Sequence, residues 1–281
     1  MIRSYPPRLF RYILWALSIL ALALMAWAVW LRFQSPYDGV QYSNKTSIVT
    51  AVDPYGPAAG ILESGDRILT IGEKPISQLT ALHLGNRPGD RVAFAIDRQG
   101  SRHVFEITLA RYPGKVILTL LFPLLVSLFF WFVGILVLFL HKETIQARVF
   151  ILICLLASAS LAAGSVSLIG PAPAKLLFYL LLWWPAPLLF HFHLLFPRTN
   201  SSNRLGTLKT VLYGIAMLGT LLDLIFKPAI VDTGLAYSAL HAVRRIWLAG
   251  GFLAAVLLIA RTYRREPARP SRSQIGVVSL G

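Results

Sequence analysis

His191 and His193, one residue apart in an otherwise apolar run, are the nearest approach in the chain to a metal-ligand pair. A helical zinc-protease site needs two histidines four apart with an adjacent glutamate, so that both rings share one face and a base stands beside the metal. A separation of two turns the rings about 200° apart on a helix, which predicts packing toward headgroups or a bundle cavity rather than metal or heme ligation. Asp223 stands three residues before the end of the apolar stretch 208–226. It is expected to be solvated near an interface, with a functional intramembrane carboxylate as the alternative. Cys154 is the only cysteine, so no intramolecular disulfide forms. In the polar part of the chain only His83 and His103 could partner a serine nucleophile, no such pairing is legible, and no glycine-rich phosphate loop is present. The expectation is therefore no catalytic residue, no metal, no cofactor, and no enzyme activity in the residues at hand.

The elements that hold these residues follow from composition. Of 281 residues 56% are hydrophobic and 14% charged, more apolar than a water-soluble domain can bury in its own core. Stretches of about 20 apolar residues cross the hydrocarbon of a bilayer, and six fit: 9–33, 116–140, 149–169, 176–196, 208–226 and 246–260. The first is too long and too bulky at its end for a cleaved signal and is read as a retained anchor. The sixth is short unless Arg244 and Arg245 snorkel at its entrance. Pro185 and Pro187 fall inside the fourth, where each removes a backbone donor and crowds the preceding turn, so a kink is expected near 184–187. The seven tryptophans mostly sit near span ends or the proline kink, as interfacial anchors do.

The net charge of +15 would suggest nucleic acid if it formed one patch. Instead the cations flank the spans. With the N-terminus inside, thirteen lysines and arginines fall in cytoplasmic segments and four, Lys175, Lys227, Arg244 and Arg245, in short outer loops. That bias sets both termini in the cytoplasm of a cell membrane and segment 34–115 outside. Nucleic acid is excluded as a partner, and the lipid bilayer is expected as one.

Residues 36–112 carry eight of the twelve acids and the turn signals of a small folded domain. Residues 46–53 read as a strand, 57–61 as one helical turn, 67–71 as a buried strand with a tight turn at Gly72-Glu73, and 77–84 as an amphipathic helix. Residues 91–97 and 101–109 form a hairpin about Arg98-Gln99-Gly100. The order is that of a partly open β-barrel capped by two helices, an α+β domain inserted into an α-helical polytopic membrane protein. Domain bounds follow: anchor 1–35, extracytoplasmic domain 36–112, five-helix bundle 113–262, and a basic tail 263–281 that reads as the start of a further helix or output domain.

Val52-Asp53-Pro54-Tyr55-Gly56-Pro57-Ala58-Ala59-Gly60-Ile61, followed by Ser64-Gly65-Asp66-Arg67-Ile68, resembles the bacterial, circularly permuted PDZ domain. Ala58 and Ala59 are small enough to let the turn pack on the sheet, Gly65 supplies a turn conformation others resist, and Asp66 can accept backbone hydrogen bonds; Gly60 belongs to the same motif. These residues define the fold. The resemblance implies that a peptide adds as a strand to a groove, with its end held by a glycine-containing loop. Tyr37-Asp38-Gly39-Val40 resembles that loop, Gln41 and Tyr42 would lie along the edge strand, and Leu79, Leu82 and His83 would line the side-chain pocket. Asp38 departs from the pattern, since it would repel an anionic chain end unless turned away. Recognition of an internal strand, or intramolecular docking, competes with C-terminal recognition, and Gly39 also reads as an ordinary turn glycine.

The order of anchor, external domain and bundle, with Phe190-His191-Phe192-His193-Leu194-Leu195-Phe196-Pro197-Arg198 ending a span, resembles the N-terminal sensory region of membrane histidine kinases and related receptors. The resemblance implies a sensor or receptor input module, with a kinase-like output following the basic segment, and it leaves room for a homodimer. A membrane-anchored adaptor that presents peptides to an envelope protease is the alternative. A transporter built on Asp223 and the kinked fourth span is the third reading.

Overall fold

The computed structural model describes residues 7–43, 46–76, 85–140, 144–167, 172–195, 203–226 and 235–265. A long helix, α1 (Pro7–Gln34), leads into a β-rich unit with strands β1 (Pro36–Tyr37), β2 (Val40–Tyr42), β3 (Val49–Val52), β4 (Arg67–Ile71), β5 (Lys74–Pro75), β6 (Arg91–Arg98), β7 (Ser101–Thr108) and β8 (Ala110–Arg111). The helices α2 (Gly114–Leu140), α3 (Ile145–Val166), α4 (Ala172–Leu181), α5 (Pro185–Leu195), α6 (Asn203–Ile225) and α7 (Leu235–Arg265) follow.

Among the described residues three antiparallel sheets build the β-rich unit: β5-β4-β6-β7, β2-β3 and β1-β8. Alternation along β6 sends Val92, Phe94 and Ile96 inward, where they meet Ile68 and Ile71 of β4, Ile107 of β7, Val49 of β3, and Ala58, Leu62 and Leu109. The β6–β7 hairpin closes on Gln99 (φ 54°) and Gly100 (φ 82°), the doubly left-handed two-residue turn whose twist matches the strands. The expected strands 67–71, 91–97 and 101–109 are present to within a residue. The strand expected over 46–53 is shorter, because Thr46 and Ser47 form a turn, with Ser47 at φ 59°. The turn at 57–61 closes one helical bond, Leu62 N–H to Ala58 O at 3.1 Å. The amphipathic helix expected over 77–84, and with it Leu79, Leu82 and His83, lies outside the described residues.

Among the described residues six helices are long and apolar enough to cross a membrane: 9–34, 114–140, 145–166, 173–195, 206–225 and 239–261. The fourth is broken as its prolines require: α4 stops at Leu181 and α5 starts at Pro185. The first three pack together through Met25, Ala28, Leu124, Ala162 and Val166 toward one end and Leu14, Ala21, Leu138, Ile151 and Leu155 toward the other. Polar side chains stitch them: Trp131 Nε1 donates to the Ser18 carbonyl and hydroxyl at 3.0 Å, and Ser127 Oγ donates to the Ser158 carbonyl at 2.8 Å. Cys154 is buried with a free thiol.

Two expectations about the bundle are overturned. The sixth span is a 31-residue helix that begins at Leu235 rather than 246, so Arg244 lies a third of the way along it. Arg244 is 2% exposed and does not snorkel, and Asp223 is 1% exposed and is not solvated. Each supplies the other's counter-charge, which is what allows both to leave water.

Candidate functional site

The loop Tyr37-Asp38-Gly39-Val40 joins the end of α1 to β2 in five residues, so its position is set from both sides. Below it, β1 pairs with β8 through Pro36↔Arg111 and Tyr37↔Ala110, which zips the exit of α1 to the entry of α2 as a two-stranded stalk. The Tyr37 and Tyr112 rings meet across it at 4.8 Å. Above it, the Asp38 carbonyl accepts from Ala58 N–H at 3.1 Å and the Gly39 carbonyl from Asp53 N–H at 2.8 Å. Gly39 has φ +80°, a conformation costly for residues with a Cβ.

Tyr37 OH donates to Asp53 Oδ2 at 2.6 Å, and Tyr55 N–H donates to Asp53 Oδ1 at 3.0 Å. These bonds hold the Asp53 carboxyl below the usual carboxylate range, while burial and then the bond to Asp53 push the Tyr37 phenol up. Burial likewise raises the phenols of Tyr42 and Tyr112. A cavity of about 460 Å³ opens against this loop, lined by Tyr37, Asp38, Gly39, Val40, Gln41 and Tyr112 among others.

β2 is bonded on one side only among the described residues. Val40 pairs with Val52, Gln41 with Ala51 and, after a bulge, Tyr42 with Val49. The bonds to β3 and the residues flanking it leave from Gly39, Gln41 and Ser43: Thr50 Oγ1 donates to the Gln41 carbonyl at 3.1 Å, and Ser43 N–H to Ile48 O at 2.9 Å. Alternation turns the backbone of Val40 and Tyr42 to the other edge, where a further strand can add.

Behind the loop the fold is fixed by Asp66. It is 2% exposed, accepts from Glu63 N–H at 2.8 Å, and takes both Nε and Nη2 of Arg98 at 2.7 Å. The Arg98 bonds hold its carboxyl well below the usual range. Arg98 Nη2 also reaches the Ile61 carbonyl at 3.0 Å, which ties the Pro57–Leu62 turn to the hairpin. Gly60 and Gly65 adopt φ +71° and +101°. Ala58 is fully buried, whereas Ala59 is half-buried.

In a comparison with known protein families, the PDZ domain matches residues 36–109. Residues 36–109 are a PDZ domain. The match covers this part of the chain alone, and no curated protein matches the chain. A PDZ domain points to peptide or protein binding, and the loop, Gln41 and Tyr42 stand together at the open edge of this one.

A second cluster lies in the bundle, where sequence reasoning found Asp223 and the proline break but not their connection. Asp223 on α6 accepts from Trp183 Nε1 at 2.7 Å and pairs with Arg244 Nη2 of α7. Arg244 also stands 4.3 Å from the Tyr179 ring and 3.3 Å from His241 Nδ1. Trp183 occupies the break between α4 and α5, and its carbonyl accepts from Trp247 Nε1 at 2.9 Å. The stretch that Pro185 deprives of helical bonding is therefore held by side chains from two other helices. His191 Nδ1 meets Tyr213 OH at 3.1 Å, and His193 stands against Phe192. Among the described residues no group of three or more His, Cys, Asp and Glu could hold a metal.

Proposed function

We propose that this chain is the input module of a membrane sensor: its PDZ domain takes an extended peptide or protein segment on the open edge of β2, and the stalk carries the event into the helical bundle. The observation that supports this most is continuity. Tyr37 belongs to the loop at the start of the groove, to the stalk through its pairing with Ala110, and to the end of β3 through its bond to Asp53, the next residue. One turn below, Arg32 of α1 donates to the Ser165 carbonyl at the end of α3, so displacement of the loop bears on three helices at once. A signal requires unequal binding to two arrangements of the bundle, and the α4–α5 break held by Asp223 and Arg244 offers a discrete place for them.

In this reading the six apolar helices lie in the cell membrane with both termini cytoplasmic, and the PDZ domain stands outside. The work of these residues is binding, not catalysis. The resemblance to membrane histidine kinase receptors supports a cytoplasmic output.

All seven tryptophans lie in the helices or at the α4–α5 break and none in the PDZ domain. A tryptophan-free peptide selected on the full-length protein in lipid nanodiscs is therefore expected to change the intrinsic emission on binding. Saturable binding with unchanged emission would favour a membrane-anchored adaptor instead. Absence of binding by any extended peptide would reject both.

A further inference from the structure

We propose that Asp38 makes this groove discriminate against a free C-terminal carboxylate, so that its ligand is an internal extended segment. The inference rests on strand addition at β2 and specifies which kind of strand is admitted.

The open edge offers few groups. Gly39, Gln41 and Ser43 spend their backbone on the β3 side, which leaves Val40 and Tyr42 facing outward. The first outward donor is already engaged, because Val40 N–H donates to Asp38 Oδ1 at 3.0 Å. Asp38 is 6% exposed, and its own carbonyl is bonded to Ala58 N–H at 3.1 Å, so the side chain is seated by the fold. It stands where an arriving chain end would place its own oxygens.

Charge acts in the same direction. Asp38 and Asp53 both line the cavity at this end of β2, and the Tyr37 and Tyr55 bonds keep Asp53 ionised across ordinary pH. A terminal carboxylate would have to displace Asp38 from the Val40 amide and then remain beside two like charges. A chain that continues past the loop needs neither. It uses the Val40 carbonyl and both backbone groups of Tyr42, and the occupied Val40 amide costs it a single bond.

The test uses the full-length protein in nanodiscs and pooled random decapeptides in two forms, identical except for a free-acid or an amidated C-terminus. The wild type is expected to bind the amides about tenfold more tightly, with the ratio shrinking as salt is raised. Asp38→Asn keeps an acceptor for Val40 N–H and removes the charge, and is expected to bring the ratio toward parity. Parity or a preference for the acid in the wild type overturns the inference and leaves strand addition standing. Binding of neither form overturns strand addition and the inference with it. Should Asp38→Asn fail to fold, as judged by amide exchange in β4 and β6, the wild-type ratio and its salt dependence decide.

Discussion

Gly39 and Gly56 lie back to back: a Cβ on Gly56 would stand 2.9 Å from the Gly39 Cα, and one on Gly39 would stand 3.0 Å from the Gly56 Cα. The contact lets the loop at the start of the groove sit directly on the turn that precedes Pro57. Gly56→Ala is therefore expected to push the two apart and to lower stability by about 1–3 kcal/mol. Gly39→Ala adds the strain of a positive φ to the same clash. Faster amide exchange at Asp53 and Ala58, whose N–H groups bond the loop carbonyls, is the measurement. Unchanged exchange there would falsify the close packing.

The Asp66–Arg98 pair gives the PDZ domain an acid limit. Because the folded-state pKa of Asp66 is depressed, its contribution is present above the unfolded value of about 3.9 and is lost as pH falls through the lower folded value. Asp66→Ala removes the acceptor for Glu63 N–H and for Arg98 together, and a loss of about 2 kcal/mol is expected at neutral pH. Asp66→Asn should flatten the acid dependence below pH 4. Amide exchange of β4 and β6 as a function of pH reads both effects.

How much of this could be read from residues alone depended on how local the cause was. The β6–β7 hairpin and β4 follow from alternation and turn chemistry within a few residues, and the break at Trp183 follows from Pro185. The partner of Asp223 was not legible. Arg244 is 21 positions away, on a different helix, and an arginine near the start of an apolar run looks the same whether it snorkels or is paired. The sequence also placed the start of the last helix too late, because Arg244 and Arg245 interrupt its apolar pattern while costing little helical propensity. At the groove, Asp38 could be seen to conflict with an anionic chain end. That it caps Val40 N–H is a local pattern of aspartate, which bonds the backbone two residues on, whereas the seating of the loop against Ala58 is a contact 20 residues away in sequence.

The buried pair in the bundle makes two kinds of variant behave differently. Asp223→Ala leaves the Arg244 guanidinium buried without its counter-charge, and removes the acceptor of Trp183 Nε1 as well. A loss of about 3–5 kcal/mol is expected. The double variant Asp223→Leu with Arg244→Met removes both charges and should recover most of that loss. Thermal retention of the folded protein in detergent separates the two. Equal behaviour of the single and double variants would show that the pair is not coupled.

Close approach also sets the α4–α5 break and the start of α5 against their neighbours. A Cβ on Gly219 would fall 2.3 Å from the Trp183 ring, and one on Gly251 would fall 2.3 Å from the Ala186 Cβ. Gly251→Val is therefore expected to drive α7 from α5 and to reduce cross-linking between cysteines introduced at facing positions of the two helices. Gly250→Val, one residue away, meets no atom within 4 Å and should leave the cross-link intact, which controls for helix propensity.

Tyr37 allows binding and transmission to be separated. Its hydroxyl bonds Asp53, the residue after β3, while its backbone pairs with Ala110 in the stalk, and no group on the open edge of β2 depends on that hydroxyl. Tyr37→Phe is thus expected to hold peptide affinity within about twofold, since an exposed edge loses no donor or acceptor. The tryptophan emission change on binding should fall by more than half, because β3 and the Asp53 that follows it then move without drawing on the stalk. Phe retains the ring contact with Tyr112, so the stalk itself is kept. Loss of affinity in step with the emission change would place Tyr37 in the groove rather than in the connection to the helices.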